Sequence, residues 1–227
     1  MHRREGPSHG AALLRIAVAA TVCAALGARR LARRSGVTAA DLVASLPGGL
    51  LVERPDFVVD RAVGLPAPPA TVWPWLVQLG KGRAWWYLPA WAERLVWARD
   101  KRGARRIVPE LQALAVGDAV PDWGPGDPVF RVAVLDPPHA LVYHSLRQRS
   151  NDWRWPEPDT PRPPGCLELS WALVLAPLPG GRARLHVRLR VAGVGRAKPL
   201  IELGGGLIDY VTMVLLFSGL KERLTTP

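Results

Sequence analysis

The sequence predicts an α+β domain, and three observations carry that reading. Four strand-like runs follow one another at 129–135, 140–146, 167–176 and 184–192, with Asp136-Pro137-Pro138 and Pro179-Gly180-Gly181 as turns. Earlier in the chain, Val72, Trp75, Leu76 and Leu79 recur at the i, i+3, i+4, i+7 spacing of one helix face. The run 207–224 is apolar at Ile208, Val211, Val214 and Leu215 and polar at its end, as a long amphipathic helix is.

Composition sets the outer bounds. A chain of 227 residues with 48% hydrophobic content is long enough for one well-buried core and an appendage. Its net charge of +11 suggests a polyanion partner, but the make-up argues against nucleic acid. Of 30 basic residues only four are Lys, in a chain rich in Ala, Gly and Pro, and the arginines are scattered instead of gathered on one face. Two cysteines, Cys23 and Cys166, are too few for a disulfide framework and read as two small buried hydrophobes.

Residues 1–35 divide into a polar start, an apolar helix and a basic flank. The run 11–28 carries a single charge, Arg15, and is followed by Arg29, Arg30, Arg33 and Arg34. A membrane-spanning helix needs about 20 apolar residues, so this one is marginal. The arginines fit a positive-inside anchor or an interfacial helix on anionic lipid, with a cytoplasmic domain attached to the inner membrane. A soluble Ala-rich helix and a processed signal are the alternatives. The segment 36–50 reads as a linker holding a short helix with Thr38 as its N-cap and a Pro47-Gly48-Gly49 turn.

The domain proper is expected over 51–227. Its first strand is DFVVDRAV, stopped by Pro66, Pro68 and Pro69. A helix follows, capped by Thr71, with Pro74 in its first turn and Gly80 closing it. A second short helix is expected from about Tyr87 to Trp97, with Trp91 and Leu95 on one face. The loop 99–106 is basic and PELQAL forms a helical turn, after which a short strand lies near 119–121. In the last strand Leu185, Val187, Leu189 and Val191 face one way, while Arg184, His186, Arg188 and Arg190 face the other. That alternation predicts a sheet with one buried and one wet face, His186 being exposed. Five prolines within 148–165 predict an extended loop on which Trp153 and Trp155 point the same way. Gly204-Gly205-Gly206 lacks a following Lys-Ser/Thr and reads as a hinge.

Strand, two short helices, meander and long C-terminal helix is the order of a helix-grip fold. TVWPWLVQLGKGRAWWY, LPAWAERL, PELQALAVGDAVP, LSWALVLAPL and GLKERL resemble the SRPBCC superfamily. The similarity is greatest to its poorly characterised bacterial branch labelled polyketide cyclase/dehydrase-like. The resemblance covers about 51–224 and implies a curved antiparallel sheet wrapped around the C-terminal helix over a deep apolar cavity. It further implies a hydrophobic small-molecule or lipid ligand, or cyclisation or dehydration of a polyketide-like or aromatic substrate. Where relatives often have Tyr-Asp after Gly-Trp-Tyr, this chain has Leu88-Pro89-Ala90 after Tyr87 and so no acid.

Catalysis in an apolar cavity needs an acid or base. The candidates are His144 and Tyr143, on opposite faces of one strand. No Ser/His/Asp order, paired carboxylates or metal-ligand spacing appears, so neither metal nor cofactor is expected. Binding asks only for an apolar pocket with one or two polar groups. Trp75, Trp85, Trp86, Trp91 and Trp171 are the candidate cavity wall, with Trp153 and Trp155 as a lid. The plainer role for each is core packing.

Overall fold

The structure, a computed structural model, describes residues 9–96, 99–124, 126–155 and 165–225. Of the expected polar start at 1–10, residues 1–8 lie outside them and His9 and Gly10 already belong to a helix; the end of the second helix at Trp97 and the proline-rich part of the loop, 156–164, also lie outside them. Helix α1 (His9–Arg33) leads into a two-residue strand β1 (Arg34–Ser35) and a one-turn helix α2 (Ala39–Val43). Next come β2 (Phe57–Leu65), α3 (Pro69–Gln78), α4 (Ala90–Glu93) and β3 (Ala119–Pro121). The meander is β4 (Val129–Asp136), β5 (Ala140–Gln148), β6 (Cys166–Leu178) and β7 (Arg182–Ala192). A short helix α5 (Lys198–Leu200) and one wide turn, Ile201–Gly205, run into α6 (Gly206–Thr225).

The strands form one open seven-stranded mixed sheet in the order β1-β2-β7-β6-β5-β4-β3. Among the described residues, only the β1–β2 contact is parallel. One face of the sheet carries Leu141, Tyr143, Leu173, Leu185 and Val187, which pack against Met213, Leu216, Phe217 and Leu220 of α6 and against α3. These apolar side chains recur at the strand and helix periods, so burying them brings sheet and helix together. Strand β4 changes phase along its length. Val132 pairs with Tyr143 and Val134 with Val142, a bulge at Ala133 that puts Val132 in the core and Val134 on the other face.

Several expectations are corrected. Helix α3 begins at Pro69, so Thr71 lies inside it and Pro68 holds the cap position. The second helix is only Ala90–Glu93, because Pro89 starts it and no second turn follows. The Gly204–Gly206 run is no hinge. It is part of a continuous helical stretch, and a Cβ on Gly206 would meet the Ala32 carbonyl oxygen at 2.4 Å, where α1 crosses α6. Cys166 is buried, whereas Cys23 is exposed on α1. The stretch 195–225 is long and apolar enough to cross a membrane by length and composition, although the second half of α6 is core.

The face expected to be wet is covered. Segment 36–56 lies across it as a strap, with Thr38 capping α2 as expected and Asp41 closing the capping box. Arg188 donates to the carbonyls of Asp41 and Ala44, each at 2.7 Å, and Arg190 to that of Val52 at 3.0 Å. Arg184 pairs with the Asp41 carboxylate. His186 is therefore buried, its Nε2 2.8 Å from Asp60 Oδ1, which also accepts from Arg188 Nε at 2.7 Å. Alternation separates two faces of a strand but cannot say that a distant segment will cover the polar one.

Candidate functional site

Among the described residues, each side of the sheet has a void. On the inner side, between the meander and the α3–α4 connection, Trp86, Trp123, Phe130, Tyr143 and Trp171 close around a space of about 30 Å³. Register builds its floor: Tyr143 of β5 stands directly opposite Trp171 of β6, and their rings stack at 5.7 Å. Trp86 stacks on Trp171 at 6.0 Å and is held in place by its indole N–H, which donates to the Thr212 carbonyl of α6 at 3.2 Å. Phe130 lies 5.9 Å from the Tyr143 ring. Trp123 meets Trp86 edge-on at 5.7 Å and is 44% exposed, so it forms the outer wall. The rim beside it is charged: Arg147 binds the Asp122 carboxylate at 2.5 Å, and Lys81 reaches the Asp122 carbonyl at 3.2 Å.

Tyr143, which lines this aromatic space, carries an unmet polar group. The Tyr143 hydroxyl is buried and has no hydrogen-bond partner. Burial pushes its pKa far up, against the favourable charge of Arg83, so the phenol stays protonated and ready to donate. A buried hydroxyl left unpaired costs free energy that a bound acceptor would recover.

On the outer side a groove of about 630 Å³ lies between the strap residues 44–51 and the sheet. Its floor is Val134, Ser170 and Ala172, with Arg188 and Arg190 along one wall. Those arginines are the ones that fasten the strap. Beside them on the same face, His144 Nε2 is 3.0 Å from Glu168 Oε1, and the Trp155 ring meets His144 edge-on at 5.4 Å.

The structure thus divides the expected site residues. Trp86 and Trp171 share the inner cleft. Trp75 is buried deeper and packs edge-on against Tyr87, whose hydroxyl donates to the Trp75 carbonyl. Trp85 is half-buried at a left-handed backbone position and lies outside the aromatic cluster. Trp91 is 61% exposed on α4, because the single turn of that helix buries Ala92 and Glu93 instead. Asp152 and Trp153 both take left-handed conformations, so the stretch is not extended and the two indoles lose their shared direction. Trp155 packs against His144 and over Arg131, on the outer face and not over the inner cleft. Tyr143 and His144 open onto opposite sides of the sheet, so they do not serve one substrate together.

Sequence reasoning missed Trp123 and Phe130, and with them Asp60 and Arg61. The last two carried a signal: adjacent charges in the middle of an apolar strand must be paired when buried. Arg61 is 1% exposed and donates to the carbonyls of Ala32 and Gly206 and to the Asp209 carboxylate, each at 2.9 Å.

No protein-family model matches the chain, and no curated protein matches it. Among solved structures, a protein from Chromobacterium violaceum aligns over 75% of this chain and 99% of its own, at 15% identity and a TM-score of 0.43. One from Mesorhizobium loti aligns over 75% and 99%, at 20% identity and a TM-score of 0.40. DynU16, of the dynemicin biosynthetic locus, aligns over 74% of this chain and 47% of its own, at 16% identity and a TM-score of 0.39.

Proposed function

We propose that this protein is a helix-grip domain of the SRPBCC type that binds a hydrophobic small molecule in the inner cleft. The observation that supports it is that Tyr143, whose buried hydroxyl has no partner, lines the cleft with Trp86, Trp123, Phe130 and Trp171. An apolar pocket with one precisely oriented polar group is the usual recipe for such a site. The cleft as it stands has room for about one water, so a ligand enters by displacing the half-exposed Trp123. The ligand class is an aromatic or polycyclic body with one acceptor oxygen for the phenol. Catalysis is the weaker reading: the protonated Tyr143 has no base beside it among the described contacts, and the His144–Glu168 pair lies across the sheet.

Calorimetric titration with 2-acetylnaphthalene and 2-ethylnaphthalene tests the proposal, since the two differ by the acceptor oxygen. Tighter binding of the ketone is expected, with Tyr143→Phe removing the preference, a change of about three- to tenfold. Ala172→Trp, which fills the outer groove, should leave binding unchanged. Equal affinities in Tyr143→Phe and the parent, or loss of binding in Ala172→Trp, would reject the inner site.

A further inference from the structure

The end of helix α1 meets the start of α6 at Ala32 and Gly206. From 19 to 27 every residue of α1 is exposed, although the stretch is apolar on all sides. A helix that is apolar all round belongs in a core or in lipid, and this part of α1 is in no core. The leading half of α6 adds a second exposed stripe. Ile208, Val211 and Val214 are 68%, 54% and 46% exposed, while Met213, Leu216 and Leu220 point into the domain. Leu26 and Leu31 of α1 and Ile201 before α6 extend the patch. Exposed apolar side chains on two helices that touch at Ala32 and Gly206 point to an interaction site.

The charges nearby select the occupant. Arg29, Arg30 and Arg34 are exposed at the end of α1, and Arg196 is exposed at the approach to α5. The two acids in this region are already engaged: Glu202 binds Arg33, and Asp209 binds Arg61. Among the described residues the exposed side chains are therefore aliphatic with a cationic border, and the aromatic Tyr210 is only half-exposed, its ring taken up by Arg61. We propose that α1 and the Ile208–Val211–Val214 stripe of α6 together form a bilayer-docking surface, apolar side chains entering the acyl region and arginines meeting anionic headgroups. The C-terminal helix then shares the membrane contact with the N-terminal one, and the Arg61 bonds to both fix the domain's attitude on the bilayer.

The test is co-sedimentation of the full chain with vesicles of phosphatidylcholine alone or mixed with phosphatidylglycerol. Ile208→Ser/Val211→Ser/Val214→Ser should cut partitioning by about tenfold or more with unchanged circular dichroism. Arg29→Gln/Arg30→Gln should lose roughly tenfold of the preference for the anionic vesicles. As a measurement independent of the triple variant's folding, Ile208→Cys in a Cys23→Ser chain carries an environment-sensitive dye, whose emission should shift to the blue on adding vesicles. Three results overturn the proposal. One is no blue shift; another is parent-like partitioning of the triple variant, which leaves α1 as sole anchor. The third is a parent that dimerises without vesicles through this stripe, which makes it a protein interface.

Discussion

Replacing Arg61 with Met is the perturbation whose size the structure defines best. The guanidinium is 1% exposed and joins three elements: its Nη2 serves the carbonyls of Ala32 on α1 and Gly206 at the start of α6, and its Nε serves Asp209. Removing one partner of a buried ion pair costs about 3–5 kcal/mol, chiefly because the other charge is stranded. The Asp209 side chain retains 20% exposure, so water recovers part of that loss and about 2–4 kcal/mol is expected. Urea denaturation followed by circular dichroism reads this value. Arg61→Met/Asp209→Leu removes the stranded charge as well and should be less damaged than Arg61→Met alone, with a coupling energy of about 1 kcal/mol or more. Because the lost bonds include the one to Ala32, trypsin should also cut sooner at Arg33 and Arg34. A single variant that loses less than about 1 kcal/mol, or a double variant whose effects simply add, would refute the idea that Arg61 is the tie between the helices.

The other predictions concern the strap, the helix core and the cleft. The Arg184 guanidinium, with help from Thr38, holds the Asp41 carboxyl far below the usual carboxylate range. Its depressed pKa means that the strap gains stability above the unfolded value of about 4 and loses it as pH falls toward the folded one. Hydrogen exchange at 38–45 should therefore quicken below about pH 4 in the parent, and Asp41→Asn should remove that pH dependence. A Cβ on Gly219 would meet the Tyr87 carbonyl oxygen at 2.5 Å, so Gly219→Ala should lower stability by about 1–3 kcal/mol in urea. Tyr143→Phe deletes an unpaired buried hydroxyl, so its thermal midpoint should equal or exceed the parent's while ketone selectivity is lost. Trp155→Ala, on the outer face, should leave 2-acetylnaphthalene affinity unchanged; a weaker affinity would bring back the lid.

Much of the fold was legible because it rests on local periodicity. The strands came out within a few residues, since Leu185, Val187 and their neighbours alternate, and α3 was visible in the spacing of Val72, Trp75, Leu76 and Leu79. What stayed hidden depends on contacts between distant parts of the chain. The Arg184–Arg190 face looked wet because nothing local announces that Asp41, Ala44 and Val52 will cover it. The cleft was half legible. Trp86 and Trp171 stood out as aromatic, but Trp123 joins them through a turn, and the His144–Glu168 pair exists only once β5 and β6 are in register. Trp91 misled because a helical face expected to run to Trp97 stops after one turn at Glu93.

The extra residue in β4 has a consequence for how this sheet tolerates insertion and deletion. Ala133 lets Phe130 and Val132 look toward the helix, and after a shift of one position Leu135 does so too. Deleting Ala133 would remove the bulge and leave the pairing intact, with Val132 opposite Tyr143, Val134 opposite Val142 and Leu135 opposite Leu141. Leu135 would stay against the core and Val134 at the outer groove, whereas flattening the bulge with Ala133 still in the strand would turn both over. The bulge acts as a frame-shift carried in the backbone: it takes up one residue of chain length, so that each half of the strand keeps its own side of the sheet.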